Sequence, residues 1–178
     1  MTTVRRGLST VLLVLAACAG TGLAAAKDKL DPESAKFYQT ARLIMTKEEV
    51  KIFERLPDPE TRKEFIADFW LKRDPDPDTP DNAFKKEFEA RVEVVNKRFN
   101  KEGGPGYNTD RGRVYLLLGP PDKIEEFTPQ VGGSVRGFAQ WWSYYDHQTA
   151  VEFIDETGTG KFRMTRNEGD LFGAMDLM

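Results

Sequence analysis

The sequence predicts an α+β domain in which about four helices come first and a small antiparallel sheet follows. Three observations predict it. Between residues 34 and 101 apolar residues recur at helical spacing, and helix caps and prolines fill the breaks. From residue 114 onward short aromatic and β-branched runs replace that spacing, separated by glycine-rich turns. Setting aside an apolar leader, about 160 residues remain, enough for one domain with a single core.

The helical half reads in order. Residues 34–45 form a first helix carrying Phe37, Ala41 and Ile44. Thr46 opens a second; Glu49 three residues on completes a capping box, and Val50, Phe53 and Leu56 give the apolar side. Asp58-Pro59 starts a third, with Asp as cap and Pro at the first helical position. Its buried stripe is Phe65, Ile66, Phe69 and Trp70. Pro75, Pro77 and Pro80 end it in an extended link. Thr79-Pro80 opens the fourth, whose Phe84, Phe88, Val92, Val95 and Phe99 recur every three or four residues until Gly103-Gly104-Pro105-Gly106 stops it.

The second half reads as strands. Residues 114–118 are a continuous apolar run between Gly112 and Gly119, the pattern of a buried strand. Residues 124–127 form a short strand and 130–137 a loop. Residues 141–145 and 151–154 are aromatic and β-branched strands. A turn over 155–160 leads to a returning strand over 161–165, and residues 167–178 form a tail. The domain is thus expected over 34–166.

The leader places the protein. Arg5 and Arg6 precede an uncharged apolar run that ends in Leu15-Ala16-Ala17-Cys18, and Cys18 is the single cysteine. A basic front, an apolar centre and small residues at the junction make a secretory signal peptide over residues 1–17. The cysteine at the junction makes it resemble a bacterial lipoprotein leader, whose cysteine is diacylated and becomes the mature N-terminus. Residues 18–33 would then be a lipidated tether. Ala19, rather than Asp, after the cysteine points by the same resemblance to the outer membrane, facing the periplasm. Two other readings stand beside it: free secretion after Ala24-Ala25-Ala26, and an uncleaved span over the 20 uncharged residues 7–26. The lone cysteine has no partner for an internal disulfide.

Charge narrows the function classes. The formal net charge is −3, and −5 once Arg5 and Arg6 are removed. A mildly acidic chain lacks the basic surface that nonspecific nucleic-acid binding needs, so no nucleic-acid partner is expected.

The motifs of the second half carry a resemblance. Gly106-Tyr107-Asn108-Thr109-Asp110-Arg111-Gly112-Arg113 resembles the motif of the GWxTD domain, a bacterial family named for that pentapeptide. Phe69-Trp70, Arg73-Asp74-Pro75, Thr79-Pro80, Asn82 and Phe84 resemble the family's preceding stretch. Gly119-Pro120-Pro121-Asp122, Trp142 with Tyr144, and Phe153, Asp155, Gly158 and Gly160 resemble its later ones. Together they cover about residues 43–166 in one order. Tyr107 stands where the name-giving Trp belongs; both are amphipathic aromatics with a polar tip. The resemblance implies an envelope-associated protein and no particular activity.

The candidate residues follow from these motifs. Residues 106–112 link the longest helix to the expected first strand. They read as a turn in which Thr109 or Asp110 bonds the backbone, or as a recognition loop in which Tyr107, Thr109, Asp110, Arg111 and Arg113 meet a protein partner. Asp110 is also placed to pair with Arg111 or Arg113. Asp74, Asp76, Asp78 and Asp81 alternate as calcium ligands do, but a calcium loop begun at Asp74 wants Gly and Glu where Thr79 and Lys85 stand. His147 is the only histidine, which excludes a multi-histidine metal site. Pairing of Asp110 with Asp122 or Glu152 would suit acid–base chemistry if one cleft held both. The expectation is a lipid-anchored envelope module that binds or scaffolds another envelope protein and uses no cofactor. The alternatives are a carboxylate-dependent envelope hydrolase and a calcium-dependent binding module.

Overall fold

In the computed structural model, five helices precede a four-stranded antiparallel sheet among the described residues. The structure describes residues 30–131, 134, 135 and 137–169. The leader, Cys18, most of the tether and the tail beyond residue 169 lie outside the described residues.

Each early helix starts where its cap stands. Helix α1 is Pro32–Ala41, capped by Asp31, whose carboxylate accepts from the Ser34 amide at 2.9 Å. A single 3-10 turn, Arg42–Ile44, leads to α2, Lys47–Phe53. Its capping box is complete: the Glu49 amide donates to Thr46 Oγ1 at 3.1 Å, and the Thr46 amide donates to Glu49 Oε2 at 2.8 Å. Helix α3 is Pro59–Leu71, with Asp58 as its cap. Helix α4 is Ala83–Phe99 and begins later than Thr79-Pro80 predicted, because Asn82 is the residue that caps it. Asn82 Oδ1 accepts from the Lys85 amide at 2.8 Å, and its Nδ2 donates to the Trp70 carbonyl at 2.7 Å. One side chain thus starts α4 and fastens it to the end of α3.

The expected strand over 114–118 is a helix. Helix α5 is Asp110–Leu118. Thr109 caps it, its Oγ1 accepting from the Gly112 amide at 3.0 Å, and Asp110 occupies the first turn. All five residues from Val114 to Leu118 are buried. A helix buried on every side needs no polar face, so its sequence loses the helical period and imitates a buried strand.

The sheet is made of β1 (Lys123–Phe127), β4 (Phe138–Tyr144), β5 (Thr149–Asp155) and β6 (Arg163–Glu168), paired in that order. Between β1 and β4 the expected loop contains two short paired strands, β2 (Gln130–Val131) and β3 (Ser134–Val135). On β5, Thr149, Val151, Phe153 and Asp155 are buried and the alternate residues are half-buried, the period of a strand with one face on the core. Trp142 stands opposite Val151, and Gln140 opposite Phe153. His147 lies in the turn that joins β4 to β5, as the sequence suggests.

Aromatic rings join the two halves. Phe37 meets Phe53, Phe69 and Trp70 at 5.1–5.8 Å between ring centroids. Phe99 at the end of α4 reaches Trp142 at 5.9 Å, and Trp142 meets Phe153 at 4.9 Å. Trp142 and Phe153 are fully buried, each worth about 1.5–3 kcal/mol or more in removed apolar surface.

Candidate functional site

The pentapeptide region lies between α4 and α5, and its residues bond inward. Gly106 opens a 3-10 turn, Gly106–Asn108, packed on the backbone of α4. A Cβ at Gly106 would lie 1.9 Å from the Val95 carbonyl oxygen, and one at Gly112 would lie 1.8 Å from the Gly106 carbonyl oxygen. Only glycine fits either place. Thr109 Oγ1 donates to that same Gly106 carbonyl at 2.8 Å while capping α5, so one hydroxyl joins the turn to the helix. Asp110 Oδ2 accepts from the Met164 amide at 2.9 Å, which fastens β6 to the start of α5. Tyr107 donates its hydroxyl to Gln39 Oε1 of α1 at 2.9 Å. Arg113 is exposed and forms no ion pair among the described residues.

Arg111 is the centre of a buried polar network. It pairs not with Asp110 but with Glu102, through Nε at 2.9 Å and Nη2 at 2.6 Å, both to Oε1. Its Nη1 donates to Gln140 Oε1 at 2.9 Å. Gln140 Oε1 also accepts from Trp142 Nε1 at 3.0 Å, and Gln140 Nε2 donates to Glu126 Oε1 at 2.8 Å. The guanidinium lies over the Phe162 ring at 3.8 Å and near Phe99 at 5.0 Å. The Glu102 side chain is 2% exposed and that of Arg111 13%. Burial pushes the Glu102 carboxyl above its ordinary value, more strongly than the bonds and charge of Arg111 pull it down. Nothing in the spacing of the sequence singles Glu102 out from among the chain's 29 acids.

The second motif stretch is likewise a clamp. Arg73 forks onto Glu49 at 3.0 and 2.8 Å, donates to the Ile44 carbonyl at 3.0 Å and lies 3.7 Å above the Phe69 ring. Burial acts to raise the Glu49 carboxyl, yet Arg73 and the Thr46 amide hold it below its ordinary value. The aspartates that follow do not converge. Asp74 accepts from the Asp76 amide at 3.2 Å, and Asp81 pairs with Lys86 at 2.7 Å. Among the described residues no group of three or more His, Cys, Asp or Glu side chains is placed to hold a metal ion. Asp155 closes its own turn, accepting from the amides of Thr157, Thr159 and Gly160 at 3.2, 3.3 and 2.6 Å.

Two concavities flank the motif. A groove of about 400 Å³ runs between α1 and α4, lined by Phe37, Trp70, Phe88, Val92 and Tyr107 among others. A smaller cavity of about 210 Å³ lies on the other side, at the start of α5, and is lined by Glu102, Asp110, Lys161 and Arg163 among others. Neither of the acids expected beside Asp110 reaches it. Asp122 accepts from the Tyr145 amide at the start of β1, and Glu152 accepts from Thr165 on the sheet. The acid that shares a cavity with Asp110 is Glu102.

The family model of the GWxTD domain matches residues 30–165, the span of these helices, motif turns and strands. The chain belongs to the GWxTD domain family. No curated protein and no solved structure matches it. The match begins at residue 30, where Leu30 packs on the core and Asp31 caps α1. Its Tyr107 variant keeps the two roles an amphipathic aromatic serves, a ring packed against the core and a polar tip bonded to α1.

Proposed function

We propose that this GWxTD protein is a lipid-anchored envelope module, held at the periplasmic face of the outer membrane through Cys18, that binds or scaffolds another envelope protein. The leader supports the anchor: Leu15-Ala16-Ala17 runs directly into the single cysteine. The observation that supports binding is the groove between α1 and α4. Its lining joins aromatic and aliphatic residues with Lys36, Lys85, Glu89 and Glu93. An apolar lining with charged residues in it suits a peptide or helix of a protein partner. Within the motif, Tyr107 is the candidate contact that lines this groove. Thr109, Asp110 and Arg111 are committed to bonds within the domain, and their part in binding is to hold that turn in place.

The anchor is tested by intact mass of the protein from its native membrane, beside Cys18→Ala. The expected result is a chain beginning at Cys18 with acyl mass, lost in the variant; a lipid-free chain beginning at Lys27 refutes it. Binding is tested by crosslinking in the envelope with Val92→Arg and Tyr107→Ala, whose melting is checked in parallel. A discrete partner lost in the folded variants supports the groove; a partner retained by both refutes it.

A carboxylate-dependent hydrolase remains a second reading for one reason: Glu102, with its raised carboxyl, lines the same cavity as Asp110. Envelope-polymer cleavage by the purified protein, abolished in Glu102→Gln, would carry it. Cleavage unchanged in that variant, or none by the folded protein, would end it.

A further inference from the structure

A third concavity, of about 350 Å³, opens where the sheet meets the turn over 155–160. Phe127, Phe138, Phe162, Glu126, Gln140 and Asp155 line it, among others. Phe138 is 61% exposed and Phe127 41%, while Phe162 is half-buried. The Phe138 ring lies beside Gly158, where an added Cβ would stand 3.9 Å from its Cε2. Glu126 accepts from Gln140 at Oε1 and forms no ion pair among the described residues. Asp155 is taken up by the amides of its own turn. Among the described residues, no Lys, Arg or His lines the space, and the charged groups that do are both carboxylates. Aromatic walls with only negative charge are the surroundings a cation prefers.

Elsewhere the chain fills such a set with arginines of its own. Arg73 lies 3.7 Å above the Phe69 ring and forks onto Glu49. Arg111 lies 3.8 Å above the Phe162 ring and bonds Glu102 twice. In both, a guanidinium plane stacks on a phenylalanine while a glutamate takes its N–H groups. Glu126 with Phe127 and Phe138 makes a third set, and no arginine of the described residues completes it. We propose that this cavity receives an arginine side chain of a protein partner. Its guanidinium stacks on the exposed Phe138 ring, and its N–H groups donate to Glu126 Oε2, the oxygen that Gln140 leaves open. The site is separate from the α1–α4 groove and does not depend on it.

The test is a nuclear magnetic resonance titration of the isotope-labelled full chain with the end-capped peptide Gly-Arg-Gly, against Gly-Lys-Gly and Gly-citrulline-Gly at equal ionic strength. The readout is the amide resonances of Ala139, Gly158 and Gly160, which line the cavity. The arginine peptide is expected to shift them, the lysine peptide to bind more weakly for want of a plane to stack, and the neutral citrulline peptide to do neither. Phe138→Ala and Glu126→Gln change exposed side chains. Each is expected to leave the melting temperature in place and to weaken arginine binding about three- to tenfold. Equal shifts with citrulline or lysine would overturn the proposal, as would binding unmoved in both variants, or no shift up to about 10 mM arginine peptide. Binding that appears only in Arg136→Gln would also overturn it, because the chain's own arginine, two residues before Phe138, would then be the occupant.

Discussion

Arg111→Ala removes the guanidinium that pairs with a buried carboxylate. Glu102 is almost entirely out of water, and its Oε1 takes two bonds from the one guanidinium. Truncating one member of such a pair leaves an uncompensated buried charge and costs about 3–5 kcal/mol, a large part of the roughly 5–15 kcal/mol a domain has. The solvent discount that makes surface pairs weak does not apply at these exposures. The substitution also strips the ring of Phe162 of its cation and leaves Gln140 with one bond fewer. For a domain of this size the melting temperature should fall by about 10–15 °C, measured by circular dichroism and checked by urea unfolding. Two further variants separate the cause. Glu102→Leu in the Arg111→Ala background should recover part of the loss, because it removes the orphaned charge. Glu102→Gln should change how stability depends on pH. The folded carboxyl is raised, so its contribution is complete below the ordinary glutamate range and is lost as pH rises through the folded value. The wild type should lose stability over that window and the variant should not. A loss under about 1 kcal/mol in Arg111→Ala, the size of an exposed pair, would refute the reasoning.

Other outcomes follow from the same geometry. Gly106→Ala places a Cβ against the backbone of α4 and should cost about 3 kcal/mol or more in urea unfolding; a near-neutral result would mean the turn sits elsewhere. Arg73→Lys keeps the charge but loses the fork onto Glu49 and the stacking on Phe69, and should lower stability by about 1–3 kcal/mol at neutral pH. Because the folded Glu49 carboxyl is depressed, its contribution is present above the ordinary glutamate range and lost as pH falls through the folded value, so Glu49→Gln should flatten acid unfolding. Calcium should leave the melting temperature unchanged, since the prolines and the Lys86 pairing keep the linker aspartates apart; a rise would revive the calcium-dependent reading.

Much of the fold is written in local chemistry. Thr46 and Asp58 mark helix starts because a cap acts within three residues of itself. The aromatic period of α4 and the alternation of β5 likewise show which faces meet the core. The linker aspartates and the turn at Asp155 are also local, since each bonds amides close by in sequence. The sequence alone therefore determined the helix-then-sheet order, the motif that marks the family and the place of most elements.

Tertiary structure decided the rest. Residues 114–118 read as a strand because full burial erased the helical period; only the packing of α5 between α4 and β6, with Thr109 as its cap, makes them helical. The 3-10 turn needs Gly106 because of a carbonyl on α4, which no local pattern records. The role of Arg111 depends on Glu102, Gln140 and Phe162, partners that lie up to 51 residues away along the chain in no regular spacing. Charges pair, and cavities open, according to distance through space. A chain states its caps and turns within a few residues, but it states which acid meets which base only once folded.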